Sequence, residues 1–532
     1  MRRVWAAPLL AHAVALSAVL IALAAFVGTR YSYTSDEGAA IVQARHLSEH
    51  GTWIVPHPVP QIDRDNHFYP YVPAEVGDKG VAPLGKHPAY VVVLAALWSL
   101  GGISALVGLS IFGTVVAALA AAAIAQDFDV GLARPTLWAL GLASPLYFDS
   151  FLVVAHTVAA AAGGALVLVI SRRSPRFNRA VVVAAVAVLA AALVLLRTEA
   201  LFFVAAVALA AVVSPRTRWL GVVTGVSGAL AFLGERAWTH RIIGTAITPT
   251  WRTAEGSGGG GGLFRQRLDG AVHTLLLPSD SSNGLANRLL LLAFLGFGVA
   301  VLLAARHSPR AGLVAAASAT LVAARVLMAP LDTVPGLLMA CPLLWVGGWA
   351  ALVARRRDAA ERFHWLLLAL FAVAVLATQY QNGGGLEWGG RYFALALPVA
   401  IPLAIVGLRS LPRAVLASVA AASVALTLLG VLEIRDTHRS TGALLARIHV
   451  PRDAIGITTA SLLPRLDWAH YPDRQWLLVP PDEVDAVLKQ LPAAGVHRAV
   501  VVFPDDRAPT GWHGRGEQIP GFGWRTATVS VG

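Results

Sequence analysis

The sequence predicts an all-α polytopic membrane protein of about thirteen transmembrane helices, with a small extracytoplasmic α/β domain at its C-terminal end. Three observations predict it. Of the 532 residues 56% are hydrophobic and only 14% charged. Apolar runs of spanning length recur along most of the chain, and a tail of mixed polarity follows residue 432. So few charges cannot cover a water-soluble surface. A run of about 17 to 25 apolar residues crosses a hydrocarbon core of roughly 30 Å as a helix. Helices are the expected form, because hydrocarbon offers backbone amides no partner.

The spans read as residues 6–27, 104–125, 134–152, 155–171, 179–196, 200–213, 219–234, 287–305, 311–328, 335–354, 364–379, 392–408 and 412–432. The opening MRRVW and the run behind it resemble a secretory signal. That run is longer than the roughly 7 to 15 apolar residues of a signal, so it reads as a retained first span. Residues 88–100, bounded by Pro88 and the Gly101–Gly102 pair, are too short for an ordinary span and suit a helix lying at the interface. The net charge of +12 resembles a nucleic-acid signature until the arginines are located. They cluster in short loops at 171–179, 214–218, 306–310 and 355–362, which is the positive-inside pattern. The chain therefore reads as a plasma-membrane protein with a cytoplasmic N-terminus and an extracytoplasmic C-terminus, and nucleic acid is not an expected partner. The single cysteine, Cys341, forms no internal disulfide.

This divides the chain into a membrane domain, 1–432, whose first extracytoplasmic loop is 28–103, and a tail domain, 433–532. The tail reads strand, helix, strand at 476–480, 481–495 and 497–504, with Asp482 as helix N-cap and Gly495 as its stop. Its FPDDR (503–507) reads as a solvated turn. The glycine tract 255–262 lacks the Lys-Ser/Thr ending of a phosphate loop and reads as a flexible loop.

Ionisable residues concentrate at one face. Asp36 and Glu37 follow the first span; His57, Lys86 and His87 lie in the same loop. His156 begins a later span, Arg197 and Glu199 occupy a hairpin with almost no loop, and Trp388, Arg391 and Tyr392 lie in LEWGGRY. Singly, each has a structural explanation: a helix cap, an interfacial histidine, a hairpin ion pair, an aromatic-belt residue. Together they suit a lipid phosphate, whose chain stays in the bilayer while Arg and Lys hold its headgroup. A carboxylate in reach takes the proton of an incoming hydroxyl while cations stabilise the departing phosphate. Asp36, with Glu37 beside it, is the candidate for that catalytic role. Lys86, His87, His57, His156, Arg197, Glu199, Trp388, Arg391 and Tyr392 are the candidates for substrate binding.

Over roughly residues 1–430 the chain resembles the GT-C membrane glycosyltransferases, in the branch of the lipid A aminoarabinose transferase and the protein O-mannosyltransferases. The likeness rests on the DE pair after the first span, the helix AAIVQARHLSEHG, WIVPH (53–57), KHP (86–88), SPLYFDSF, LRTEAL and EWGGRYFALALP. The resemblance implies transfer of a sugar from a polyprenyl-phosphate or diphosphate donor to a lipid, glycan or protein acceptor. It implies Asp36 as base, Lys86 at the donor phosphate, and Arg391 near acceptor or donor headgroup. The chain departs from the family twice. Gly85 stands where a metal-binding Glu is common, so a divalent metal remains an open requirement. His156 stands where a second carboxylate is expected. A transporter or flippase of lipid-linked sugars is the alternative; it would place charges near the bilayer midplane and repeat its halves.

Overall fold

The structure, a computed structural model, describes residues 6–71, 75–77, 80–83, 87–172, 178–244, 262–276, 284–328, 336–353, 359–378 and 388–531. They fall into two compact units. Lys86, the glycine tract 255–261 and the loop 354–358 lie outside the described residues.

The first unit comprises Met1–Val27, Val107–Gly234 and Thr248–Ile434 and is helical. Among the described residues seven helices are long and apolar enough to cross a membrane, and three shorter apolar ones accompany them: His156–Ser171, Ala200–Val213 and Pro342–Val353. Two expected spans are broken where a proline forces the issue. In the stretch 134–152 the first helix runs from Ala133 to Ala143 and stops there. Ser144 turns extended ahead of Pro145, and a four-residue helix, Leu146–Asp149, follows. The stretch 335–354 breaks at Cys341 before Pro342. In both places proline's ring excludes the preceding residue from helical backbone angles. Small residues let helices touch backbone to backbone: a Cβ at Gly407 would stand 2.0 Å from the carbonyl oxygen of Gly347.

The second unit comprises Gly28–Leu106, Glu235–Ile247 and Arg435–Gly532. Its helix Ser35–His50 precedes a small antiparallel hairpin of β1 (Glu75–Gly77) and β2 (Gly80–Ala82). The helix beginning at Pro88 breaks at Gly101 and Gly102, the latter at φ +55°, which sets off the short segment expected from the sequence. The tail forms a five-stranded sheet of β3 (Ile455–Thr458), β4 (Trp476–Leu478), β5 (Arg498–Pro504), β6 (Glu517–Ile519) and β7 (Trp524–Ser530), in the order β4-β3-β5-β7-β6. The first three strands run parallel, and β7 pairs antiparallel with β5 and β6. The sequence indicates β4 and β5 but not β3, β6 or β7. The tail helix starts at Val484, after Glu483, so Asp482 is not its N-cap. Gly495, at φ +75°, ends the turn that follows, as expected. Asp505–Arg507 is a single turn in which Asp505 accepts from Arg525.

Val59 is buried in the same core as Ile457, Leu477, Val501 and Phe503, with Phe68 packed against it. The Leu478 amide donates to the Phe68 carbonyl. The loop 28–103 and residues 435–532 of the tail, assigned to different domains from the sequence, thus fall in one unit.

Candidate active site

In the second unit the site is built on the start of the helix Ser35–His50. Thr34 takes an extended backbone and its Oγ1 accepts from the Glu37 amide at 3.2 Å. The Glu37 carboxylate reaches back to accept from the Tyr33 amide at 2.8 Å. The first bond satisfies an amide that the first turn leaves without a helical partner, and the second ties down the amide just ahead of the cap. Glu37 is buried, at 2% exposure. Asp36, one residue earlier, faces outward with 38% of its side chain exposed. Its Oδ1 lies 4.0 Å from Nη1 of Arg465, whose side chain is 5% exposed. Gly38 makes that approach possible, because a Cβ there would stand 1.9 Å from the Arg465 carbonyl oxygen. Burial lowers the proton affinity of Arg465 and the Asp36 carboxylate opposes the shift. A guanidinium stays charged under such pressure, so Asp36 faces a fixed cation.

The loop histidines are tied to carboxylates. His57 Nδ1 accepts from the Val59 amide at 3.1 Å, and its Nε2 lies 2.8 Å from Asp63 Oδ2. Asp63 in turn accepts from the amides of His67 and Phe68, each at 2.7 Å. Burial pushes the His57 imidazole below its ordinary value, with Asp63 opposing. His87 sits at φ +52° with Nδ1 3.2 Å from Glu235 Oε1.

The first unit brings together four of the stretches noted in the sequence. His156, fully buried, lies with Nδ1 3.3 Å from Asp149 Oδ2, and Asp149 is itself 2% exposed. Arg197 contacts Oε1 of Glu199 through Nε at 2.7 Å and Nη2 at 2.5 Å. Both are near enough to act electrostatically on His156. Trp388 stacks on Phe148 at 5.6 Å between ring centroids and an interplanar angle of 16°. Gly389 and Gly390, both left-handed, follow it; a Cβ on Gly389 would stand 2.2 Å from Pro145 Cγ. Arg391 Nη2 donates to the Tyr392 hydroxyl at 3.1 Å, its guanidinium lying over that ring. Three participants were missed in the sequence: Asp149, Arg465 and Glu235. Asp149 carried a signal, being a carboxylate inside an apolar stretch. Arg465 carried none.

A divalent ion needs a set of oxygen or imidazole ligands on one point. Among the described residues no group of three His, Cys, Asp or Glu could hold a metal.

The chain shares its fold with solved GT-C membrane glycosyltransferases. ArnT from Cupriavidus metallidurans bound to undecaprenyl phosphate matches it with a TM-score of 0.52 at 13% identity, covering 100% of this chain and 98% of that one. AglB from Archaeoglobus fulgidus, in complex with an inhibitory peptide and a dolichol-phosphate, matches with a TM-score of 0.47 at 12% identity, covering 93% and 69%. No family model matches the chain, and no curated protein matches it significantly.

Proposed function

We propose that the chain is an integral membrane glycosyltransferase that moves a sugar from a polyprenyl-phosphate or diphosphate donor to an acceptor hydroxyl, with Asp36 as general base. The observation that carries this reading is the division of labour in the DE pair. Glu37 is consumed in closing the helix end, while Asp36 stays accessible opposite a buried cation. The fold it shares with an ArnT bound to undecaprenyl phosphate supports the choice of donor. In the reaction, the acceptor hydroxyl gives its proton to the Asp36 carboxylate as its oxygen bonds to the anomeric carbon. The bond from that carbon to the phosphate oxygen breaks, and the lipid phosphate leaves with the electron pair. Cations at the phosphate lower the barrier by stabilising charge that develops in the transition state. Lys86 is assigned this role, and Arg465 keeps the base ionised and oriented.

Within the membrane unit, His156, Arg197, Trp388, Arg391 and Tyr392 are proposed to meet the donor headgroup, with Glu199 orienting Arg197. Asp149, 3.3 Å from His156, is proposed to take the part of the second carboxylate that the family resemblance anticipates. Thirteen spans, a cytoplasmic N-terminus and an extracytoplasmic tail complete the proposal, supported by the arginine-rich loops. The chemistry would then act on the extracytoplasmic face. The flippase alternative moves the donor without consuming it. Protein reconstituted in vesicles with a radiolabelled polyprenyl-phosphate hexose or pentose and total envelope lipid and glycan as acceptors discriminates the two. Release of polyprenyl phosphate together with labelled acceptor is expected; donor translocated intact, with no covalent product, contradicts the enzyme.

A further inference from the structure

The helix Ser35–His50 carries Asp36 at one end and two histidines, His46 and His50, at the other, roughly 20 Å away at 1.5 Å per residue. A cavity of about 510 Å³ opens at that far end, between the helix, the WIVPH loop and residues 471–476. The volume falls within the roughly 300 to 1,000 Å³ of small-molecule sites. All its lining residues belong to the second unit.

Its chemistry is one-sided. Arg474 and the imidazoles of His46, His50 and His57 face it, and among the described residues its lining holds no Asp or Glu. The carboxylates stand behind the wall and fix it. Asp467, 2% exposed, accepts from Arg474 Nη1 at 3.2 Å, from Trp476 Nε1 at 2.9 Å and from His470 Nδ1 at 2.6 Å. Asp63 stands in the same way behind His57. His46 is locked between the Tyr471 hydroxyl, 2.6 Å from Nδ1, and the Ile54 carbonyl, 3.0 Å from Nε2. The buried Tyr71 and Tyr471, set edge to face with ring centroids 6.5 Å apart at 74°, and Pro56, Pro58, Pro70 and Pro472 complete the lining. Aromatic surface beside imidazoles and a guanidinium is what a sugar ring bearing an acidic group would require. Its C–H face lies on the rings and its anion takes the guanidinium.

We propose that this cavity is a binding site for an acidic saccharide, a sugar ring carrying a carboxylate or phosphate, and that it serves as a remote acceptor subsite. The acceptor role rests on the transferase reading; the binding itself does not.

The test measures binding apart from turnover, on the full-length protein in nanodiscs. Trigalacturonic acid is the probe, with maltotriose and inorganic phosphate as comparison arms. Saturable binding of trigalacturonate at least tenfold tighter than either is expected. The Arg474→Gln variant should weaken it at least tenfold. Because Arg474 is bonded to the buried Asp467, a second variant, Thr52→Trp, fills the mouth from an exposed position without touching that network and should weaken binding equally. Maltotriose binding as tightly, phosphate alone binding as tightly, or binding unchanged in Thr52→Trp would each overturn the site. Trigalacturonate binding without any glycosyl transfer would overturn the transferase reading while leaving the site standing.

Discussion

At residue 38 the helix Ser35–His50 tolerates nothing larger than hydrogen, since a methyl there would meet the Arg465 carbonyl at 1.9 Å. The obstacle is backbone and cannot swing aside as a side chain would. Gly38→Ala should therefore cost about 1 to 3 kcal/mol of stability through overpacking and should lower turnover by moving Arg465 away from Asp36. A Gly38→Ala protein with wild-type melting temperature and turnover would show that the contact is dispensable. The same scale shows what divides Asp36 from Glu37, both offered by the sequence as catalytic candidates with Asp36 as the base. TSDEG shows two carboxylates; which of them turns inward depends on the Tyr33 amide and the Thr34 hydroxyl at the helix start. Arg465 was illegible for a different reason. It is 429 positions from Asp36 along the chain, and no local pattern announces a contact of that range.

Among elements, the helices were legible because a bilayer demands long apolar runs, and each expected span contains helix. The breaks at Ser144 and Cys341 were written in the prolines that follow them. The strands β3, β6 and β7 were not legible, for they are short, and what makes them strands is pairing with β5 and one another. The far end of the helix Ser35–His50 carries a pH dependence. Burial, joined by the nearby His50, lowers the His46 imidazole below its ordinary value, and burial does the same to His57. A histidine harder to protonate when folded favours the folded state above its unfolded pKa near 6.5, and that stability is lost as the pH falls below it. The melting temperature should therefore drop between pH 7 and pH 5, and less steeply in His46→Gln, which keeps a donor and an acceptor but does not titrate. A His46→Gln variant as acid-sensitive as wild type would contradict this.

For the whole molecule, the proposed orientation rests on where the arginines lie, since short cytoplasmic loops carry the excess of Lys and Arg. In a Cys341→Ser background, a cysteine replacing Arg362 should stay unreactive toward a membrane-impermeant maleimide in sealed cells, and one replacing the exposed Asp506 should be labelled. The reverse pattern would invert the topology and remove Asp36 from the extracytoplasmic face. The most direct measurement of the central claim is turnover of a polyprenyl-phosphate sugar by Asp36→Asn, alongside the affinity of that variant for the donor. An amide cannot accept the hydroxyl proton, and a positioned base contributes about 10²- to 10⁴-fold. The account predicts turnover reduced by about that factor with donor affinity nearly unchanged. Turnover equal to wild type would contradict it.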